Sequence, residues 1–123
     1  MVNLTRIYTR TGDNGTTALG DFTRTTKTDS RLVAYADVDE ANCAIGVALS
    51  VGQLPEAMVA LLRGVQNELF DLGADLSTPV RPDSSDDQPG PARLRVQQAY
   101  VDRLERACDH WNAELAPLRS FIL

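Results

Sequence analysis

Met58-Val59-Ala60-Leu61-Leu62-Arg63-Gly64-Val65-Gln66-Asn67-Glu68-Leu69-Phe70-Asp71-Leu72-Gly73-Ala74-Asp75-Leu76 is the stretch that decides the fold. Met58, Leu62, Val65, Leu69, Leu72 and Leu76 recur at alternating steps of four and three, the seam of a helix packed against other helices. Pro55 opens this helix, where a missing N–H costs no helical bond, and Ser77-Thr78-Pro79 ends it. Upstream, Tyr35, Val38, Asn42, Ile45 and Leu49 repeat at the same spacing, which predicts a first helix over about 28–49, capped by Thr28 or Asp29. Asn42 is then a polar residue in an apolar seam. Downstream, Val101, Leu104, Cys108, Trp111 and Leu115 predict a third helix over about 94–115. The segment 79–91 between them, rich in proline and aspartate, reads as an acidic connection. No strand pattern of comparable length and no internal repeat appears. The expected class is all-α, a helical bundle over 28–123 preceded by an arm, 1–27, within a single domain.

The arm carries the chemistry. It reads Thr9-Arg10-Thr11-Gly12-Asp13-Asn14-Gly15-Thr16-Thr17 and runs on to Lys27. Through residue 31, Arg6, Arg10, Arg24, Lys27 and Arg31 stand against Asp13, Asp21 and Asp29, a local balance of +2 in a chain of net charge −5. A positive island on an acidic protein concentrates attraction on a small anion. Glycines let backbone N–H groups approach a phosphate, successive N–H groups in a turn form an anion-binding concavity, and threonine hydroxyls add polar ligands. The same residues also make ordinary exposed turns. The acidic balance argues against general nucleic-acid binding. No apolar run approaches membrane-spanning length, and the N-terminus lacks the apolar core of a signal peptide, so a cytoplasmic protein is expected.

On the first helix, Asp37, Asp39, Glu40 and Asn42 crowd into six residues. Asp37 and Glu40 read as a solvated acidic face. Asp39 lies beside the seam and shares a face with Asn42 and Cys43, where an ionised carboxylate needs a partner such as an arginine or a ligand group. Cys43 and Cys108 lack CxxC or Cys/His spacing and read as buried, reduced thiols. His110 reads as a cation at a helix end, and Tyr100 and Trp111 as core. No metal site is expected from a single histidine and two separated cysteines.

Tyr8 through Thr17, then Lys27, then Tyr35-Ala36-Asp37-Val38-Asp39-Glu40-Ala41-Asn42 resemble the PduO-type ATP:cob(I)alamin adenosyltransferases. Gln66 through Pro79 and the terminal Phe121-Ile122-Leu123 resemble them too. The resemblance runs from residue 6 to 123 in order, and its TGDxG and VDE motifs are specific. It implies a five-helix bundle assembled as a homotrimer with ATP between subunits, of which this chain holds the arm and about three helices. The family sequence continues after Phe-Ile-Leu with a Pro-Gly-Gly turn and an arginine-rich helix, so the C-terminal helices are expected to be missing here. By motif, Thr9, Arg10, Thr11, Gly12, Thr17 and Lys27 are the expected ATP ligands. Asp39 matches an acid that pairs with an arginine of that later helix across the subunit interface. Phe121 matches the aromatic residue that lies under the corrin and displaces the lower ligand of cobalt. Ala36 stands where the family usually has glycine, a change that favours helix.

The reaction so implied moves the 5′-deoxyadenosyl group of ATP to cob(I)alamin and releases triphosphate, with Mg²⁺ accompanying the nucleotide. An adenosylcobalamin-dependent enzyme is the expected recipient of the product. Cobalt(I) is itself the nucleophile, which fits a chain without a Ser/His/Asp or Cys/His arrangement. The alternative is a nucleotide- or cobalamin-binding or cofactor-delivery module without turnover, and a third reading is a plain helical interaction protein.

Overall fold

The computed structural model describes residues 7–80, 94–117 and 119–121. Arg6, the part of the acidic connection beyond residue 80, and Ile122 and Leu123 lie outside the described residues. In chain order the elements are β1 (Thr16–Ala18), β2 (Arg24–Thr26), α1 (Ser30–Val51), α2 (Glu56–Ser77) and α3 (Gln98–Asn112). The all-α expectation therefore holds for the bulk, with one addition in the arm. β1 and β2 form an antiparallel hairpin in the register Thr16–Thr26, Thr17–Thr25 and Ala18–Arg24. Three-residue strands are too short to display a period, so the sequence could not show them.

Asp29 caps α1: its Oδ1 accepts the Arg31 N–H at 2.9 Å, and its Oδ2 accepts the Thr25 hydroxyl at 2.9 Å. The N–H bond first, then the hydroxyl, hold this carboxyl below the usual carboxylate range. Pro55 stands at the N-cap of α2, so the helix begins at Glu56, one position later than expected. α3 is shorter at both ends than its sequence pattern predicted; at its N-terminal side, Arg95 and Val96 bond to Asp75 of α2 rather than joining the helix.

Helices α1 and α2, each 22 residues, pack side by side across the short link 52–55. All six seam residues of α2 are half-buried. Their register on α1 is set by a reciprocal amide pair. Asn42 Nδ2 donates to the Gln66 carbonyl at 3.2 Å, and Gln66 Nε2 donates to the Asn42 carbonyl at 3.1 Å. Asn42, only 6% exposed, is thus the satisfied polar residue of the seam. Cys43 and Cys108 are free thiols, but both are exposed, which corrects the expectation of burial. Cys43 follows Asn42 by one residue, about 100° round the helix and so off the seam. Cys108 shares its side of α3 with Val101 and Leu104, which are themselves exposed.

α3 meets α2 through a polar ladder instead. Glu68, Asp71 and Asp75 follow one another at three and four residues on α2. Arg103 Nε donates to Glu68 Oε1 at 2.6 Å, Tyr100 Oη donates to Asp71 Oδ2 at 2.8 Å, and Arg95 Nη1 donates to Asp75 Oδ1 at 2.5 Å. The Arg103 guanidinium also lies 5.0 Å from the Tyr100 ring centroid. Bonding to Asp71 pushes the Tyr100 phenol above its ordinary range. Tyr100 and Trp111 are half-buried rather than core, with His110 in the last turn edge-on to Trp111.

The Val96 N–H, donated to Asp75 Oδ2 at 2.8 Å, and then the Arg95 ion pair hold the Asp75 carboxyl below the usual range. A carboxyl depressed in the folded state contributes its full stability above its unfolded value, near 4, and loses it as pH falls through the lower folded value. Asp75→Asn should cost about 1.5–3 kcal/mol at neutral pH, the scale of hydrogen bonds to a charged group. Thermal unfolding followed from pH 7 to pH 2 should show the gap between the two proteins narrowing only below about pH 4. A constant gap down to pH 2 would refute this account of Asp75.

Candidate functional site

The arm folds as a loop stacked on its own hairpin. Thr9 and Thr11 share a hydroxyl–hydroxyl bond of 2.9 Å, and the Thr11 N–H points at the Thr9 hydroxyl at 3.5 Å. Two tight turns follow, closed by the Asp13 N–H on the Arg10 carbonyl at 3.3 Å and the Gly15 N–H on the Gly12 carbonyl at 3.1 Å. Asn14 Oδ1 accepts the Thr16 N–H and hydroxyl at 3.3 and 2.8 Å, leading the chain into β1.

The return strand carries the charges back to this loop. Lys27 donates its N–H to the Gly15 carbonyl at 2.9 Å, just past β2. That places its ammonium against Gly12: a Cβ built there would lie 3.2 Å from Lys27 Nζ, 3.3 Å from Lys27 Cε and 3.1 Å from the Thr16 carbonyl. Glycine is thus the residue that lets the backbone and the ammonium sit together. Among the described residues, Lys27 has no carboxylate within ion-pair reach. From the other end of β2, Arg24 Nη2 donates to the Thr11 carbonyl at 2.9 Å and to the Thr16 hydroxyl.

Of the sequence-selected residues, Thr9, Thr11, Gly12 and Lys27 converge. Thr17 sits one position into the hairpin, paired with Thr25. Arg10 adopts φ +62°, an unusual conformation for a side chain larger than glycine, and its guanidinium lies 5.3 Å from the Tyr8 ring centroid. Asp39 is exposed on α1, ten residues or about 15 Å along the helix from its Asp29 cap. It has no hydrogen bond or ion pair within this chain among the described residues. Asp37 and Glu40 are exposed, as a solvated acidic face should be. Phe121 lies beyond α3 and is 91% exposed. Among the described residues no group of His, Cys, Asp and Glu could hold a metal ion, and no helix is long and apolar enough to cross a membrane.

The base of the site is the C-terminal end of α2. Gly20 N–H donates to the Ser77 carbonyl at 2.8 Å, and Arg31 Nη1 donates to the Leu76 carbonyl at 2.7 Å. The hairpin and the start of α1 are therefore docked on the same helix end. Sequence reasoning counted Arg24 and Arg31 in the charge island but missed these roles. Their signal is modest: an arginine within or beside a hydroxyl-rich turn finds carbonyls there.

A family model described as cobalamin adenosyltransferase matches residues 7–123. A corrinoid adenosyltransferase of Mycobacterium tuberculosis H37Rv is 57% identical over 122 residues, which cover 99% of this chain and 61% of that protein. The PduO corrinoid adenosyltransferase of Salmonella typhimurium is 38% identical over 117 residues, 95% of this chain and 33% of that protein. Among solved structures, a variant PduO-type ATP:corrinoid adenosyltransferase from Lactobacillus reuteri, complexed with cobalamin and ATP, superposes with a TM-score of 0.76 at 31% identity. The match covers 96% of this chain and 62% of that one. The chain thus spans about three fifths of the length of the mycobacterial relative it matches. With its three helices and arm in the arrangement of these structures and the family model matched from Ile7 onward, the chain belongs to the cobalamin adenosyltransferase family.

Proposed function

We propose that this protein transfers the 5′-deoxyadenosyl group of ATP to cob(I)alamin, forming adenosylcobalamin and triphosphate. The observation that carries the reading is the Lys27 ammonium set against Gly12 in a hydroxyl-lined loop, in a chain whose relative binds ATP and cobalamin together. Cobalt(I) in the substrate supplies the electron pair for the new bond to C5′, and the C5′–O bond breaks with its electron pair leaving on triphosphate. The protein therefore needs no nucleophile or base of its own. Its tasks are to align the two substrates and to stabilise a highly charged leaving group.

Thr9, Arg10, Thr11, Gly12, Thr17 and Lys27 are the residues assigned to the nucleotide. Hydroxyl oxygens suit Mg²⁺, which keeps most of its water and binds through few protein groups plus phosphate oxygens. The described residues offer no separate carboxylate cage, so the ion would enter on the triphosphate. Asp39 is assigned to an arginine of a neighbouring subunit, and its exposure leaves the carboxylate accessible to one. A homotrimer would cover exposed apolar surface such as Val47 and Val51 at the end of α1. Phe121 is assigned to the corrin: an apolar ring beneath cobalt excludes water and the lower base and eases reduction to cobalt(I). A cytoplasmic setting, with delivery to an adenosylcobalamin-dependent enzyme, completes the proposal.

Anaerobic turnover of pre-reduced cob(I)alamin with MgATP by the full-length protein tests the reaction. Adenosylcobalamin should form, and ATP binding without product would leave only a binding module. Lys27→Ala should lose about ten- to hundred-fold in ATP affinity, since a charge-assisted hydrogen bond is worth about 1.5–3 kcal/mol. Gly12→Ala should act in the same direction and lower the melting temperature slightly, because its methyl group would crowd the Thr16 carbonyl at 3.1 Å as well as the flexible end of Lys27 at 3.2 Å. Calorimetric titration with MgATP reads both, and unchanged affinities would remove the phosphate role from the loop.

Phe121→Ala should slow turnover from cob(II)alamin steeply while leaving ATP affinity unchanged, and pre-reduced cob(I)alamin should restore much of the rate. The electronic spectrum of cob(II)alamin bound with ATP is the direct readout. As much four-coordinate cobalt(II) in the variant as in the parent would end the assignment of Phe121.

A further inference from the structure

We propose that Arg24 is a positioning residue that holds the nucleotide loop in its anion-binding shape by tying the Thr11 carbonyl to the Thr16 hydroxyl. The inference rests on the reading of the arm as the ATP site and adds a residue which that reading does not use. Arg24 Nη2 donates to the Thr11 carbonyl at 2.9 Å and to the Thr16 hydroxyl, so one nitrogen bridges the two ends of the turn 11–16. The hairpin register explains the reach. Arg24 pairs with Ala18 and Thr16 with Thr26, so Arg24 is the diagonal neighbour of Thr16 on one face of the ladder. The next residue, Thr25, bonds to the Asp29 cap of α1 at 2.9 Å, which anchors β2 to the helix. Three residues on from Arg24, Lys27 closes the opposite side of the same loop through the Gly15 carbonyl at 2.9 Å.

Two consequences follow from that geometry. Engaging the Thr11 carbonyl on the Arg24 side fixes the Thr11–Gly12 peptide plane, and with it the direction of the Gly12 N–H beside Lys27. The Thr16 hydroxyl, bound to Arg24 and to Asn14 Oδ1, pins the exit of the turn to the strand. Arg24 thereby acts on the nucleotide through the loop rather than as a phosphate ligand. Both acceptors are held by one terminal nitrogen whose two N–H directions are fixed in the guanidinium plane, whereas a lysine ammonium rotates freely on a flexible stem, so charge alone does not replace Arg24.

The test is a double-mutant cycle on the full-length protein, with Arg24→Ala, Thr16→Val and the double variant, together with Arg24→Lys. Arg24→Ala should weaken MgATP about tenfold by calorimetry, a loss on the scale of one charge-assisted bond. It should raise the KM for ATP and leave kcat at saturating ATP near the parent value. Thr16→Val should cost less in the Arg24→Ala background than in the parent, because only its bond to Asn14 is then left to lose. Arg24→Lys should recover less than half of the lost binding free energy. In the nucleotide-free proteins, amide exchange at Asp13 and Gly15, whose N–H groups close the loop turns, should quicken several-fold in Arg24→Ala. Additive losses in the cycle, full rescue by Arg24→Lys, or unchanged exchange at those amides would overturn the positioning role. If the parent protein binds no ATP, the functional reading fails, while the exchange measurement still decides whether Arg24 braces the loop.

Discussion

Everything that positions the site depends on how the last carbonyls of α2 are satisfied. A helix ends with four carbonyls that have no partner inside it, at the negative end of its dipole. Here the Ala74 carbonyl takes the Ser77 and Thr78 hydroxyls at 2.8 and 3.0 Å. The Asp75 carbonyl takes the Thr78 N–H at 3.0 Å and Arg95 at 3.2 Å. The carbonyls of Leu76, Ser77 and Thr78 take Arg31 at 2.7 Å, Gly20 at 2.8 Å and Arg95 at 2.9 Å. These donors come from the hairpin, the first turn of α1 and the approach to α3. Three parts of the chain far apart in sequence thus meet at one electrostatic sink, and both arginines bring the charge that the dipole favours.

That junction sets the arm on the fold without burying it. The loop 9–17 is almost wholly at the surface, so its attraction for an anion is screened by salt and gains little from low dielectric. What it offers is arrangement. Backbone N–H groups, hydroxyls and one ammonium are held close together by a hairpin of two three-residue strands, itself held by Asp29 and Gly20. For the proposed adenosyl transfer this division of labour is adequate, because the bond-making electrons come from the substrate and the protein chiefly orients it.

The sequence made the helices legible because apolar residues at three and four leave a signal that survives any packing partner. The α2 seam from Met58 to Leu76 is half-buried along its length, and Asn42 was visible as the one polar break in the α1 seam. What Asn42 bonds to was not visible, since Gln66 lies 24 residues away and both bonds of the pair end on a backbone carbonyl. The loop was legible in its Gly12 and Lys27, and its convergence on them needed the hairpin. The cysteines were misjudged for a related reason. An average preference for burial says nothing about which side of a helix is covered, and Cys43 and Cys108 lie on sides that this chain leaves open.

The contrast between the two helix contacts explains those open sides. α1 and α2 use their apolar seams on each other, with the Asn42–Gln66 pair fixing register. α3 instead meets α2 through Glu68, Asp71 and Asp75, using Arg103, Tyr100 and the preceding Arg95. Such a ladder fixes direction and register but removes little apolar area from water. Val101 and Leu104 on α3 and Leu115 just beyond it therefore stay exposed, as do Phe70 on α2 and Val47 and Val51 on α1. Apolar surface of this extent is characteristic of faces that meet another element. In the proposed trimer with ATP between subunits, the covering of those faces and the completion of the site are one event. The exposed Asp39 carboxylate and the nucleotide loop would then gain their partners from the same association that buries the valines of α1.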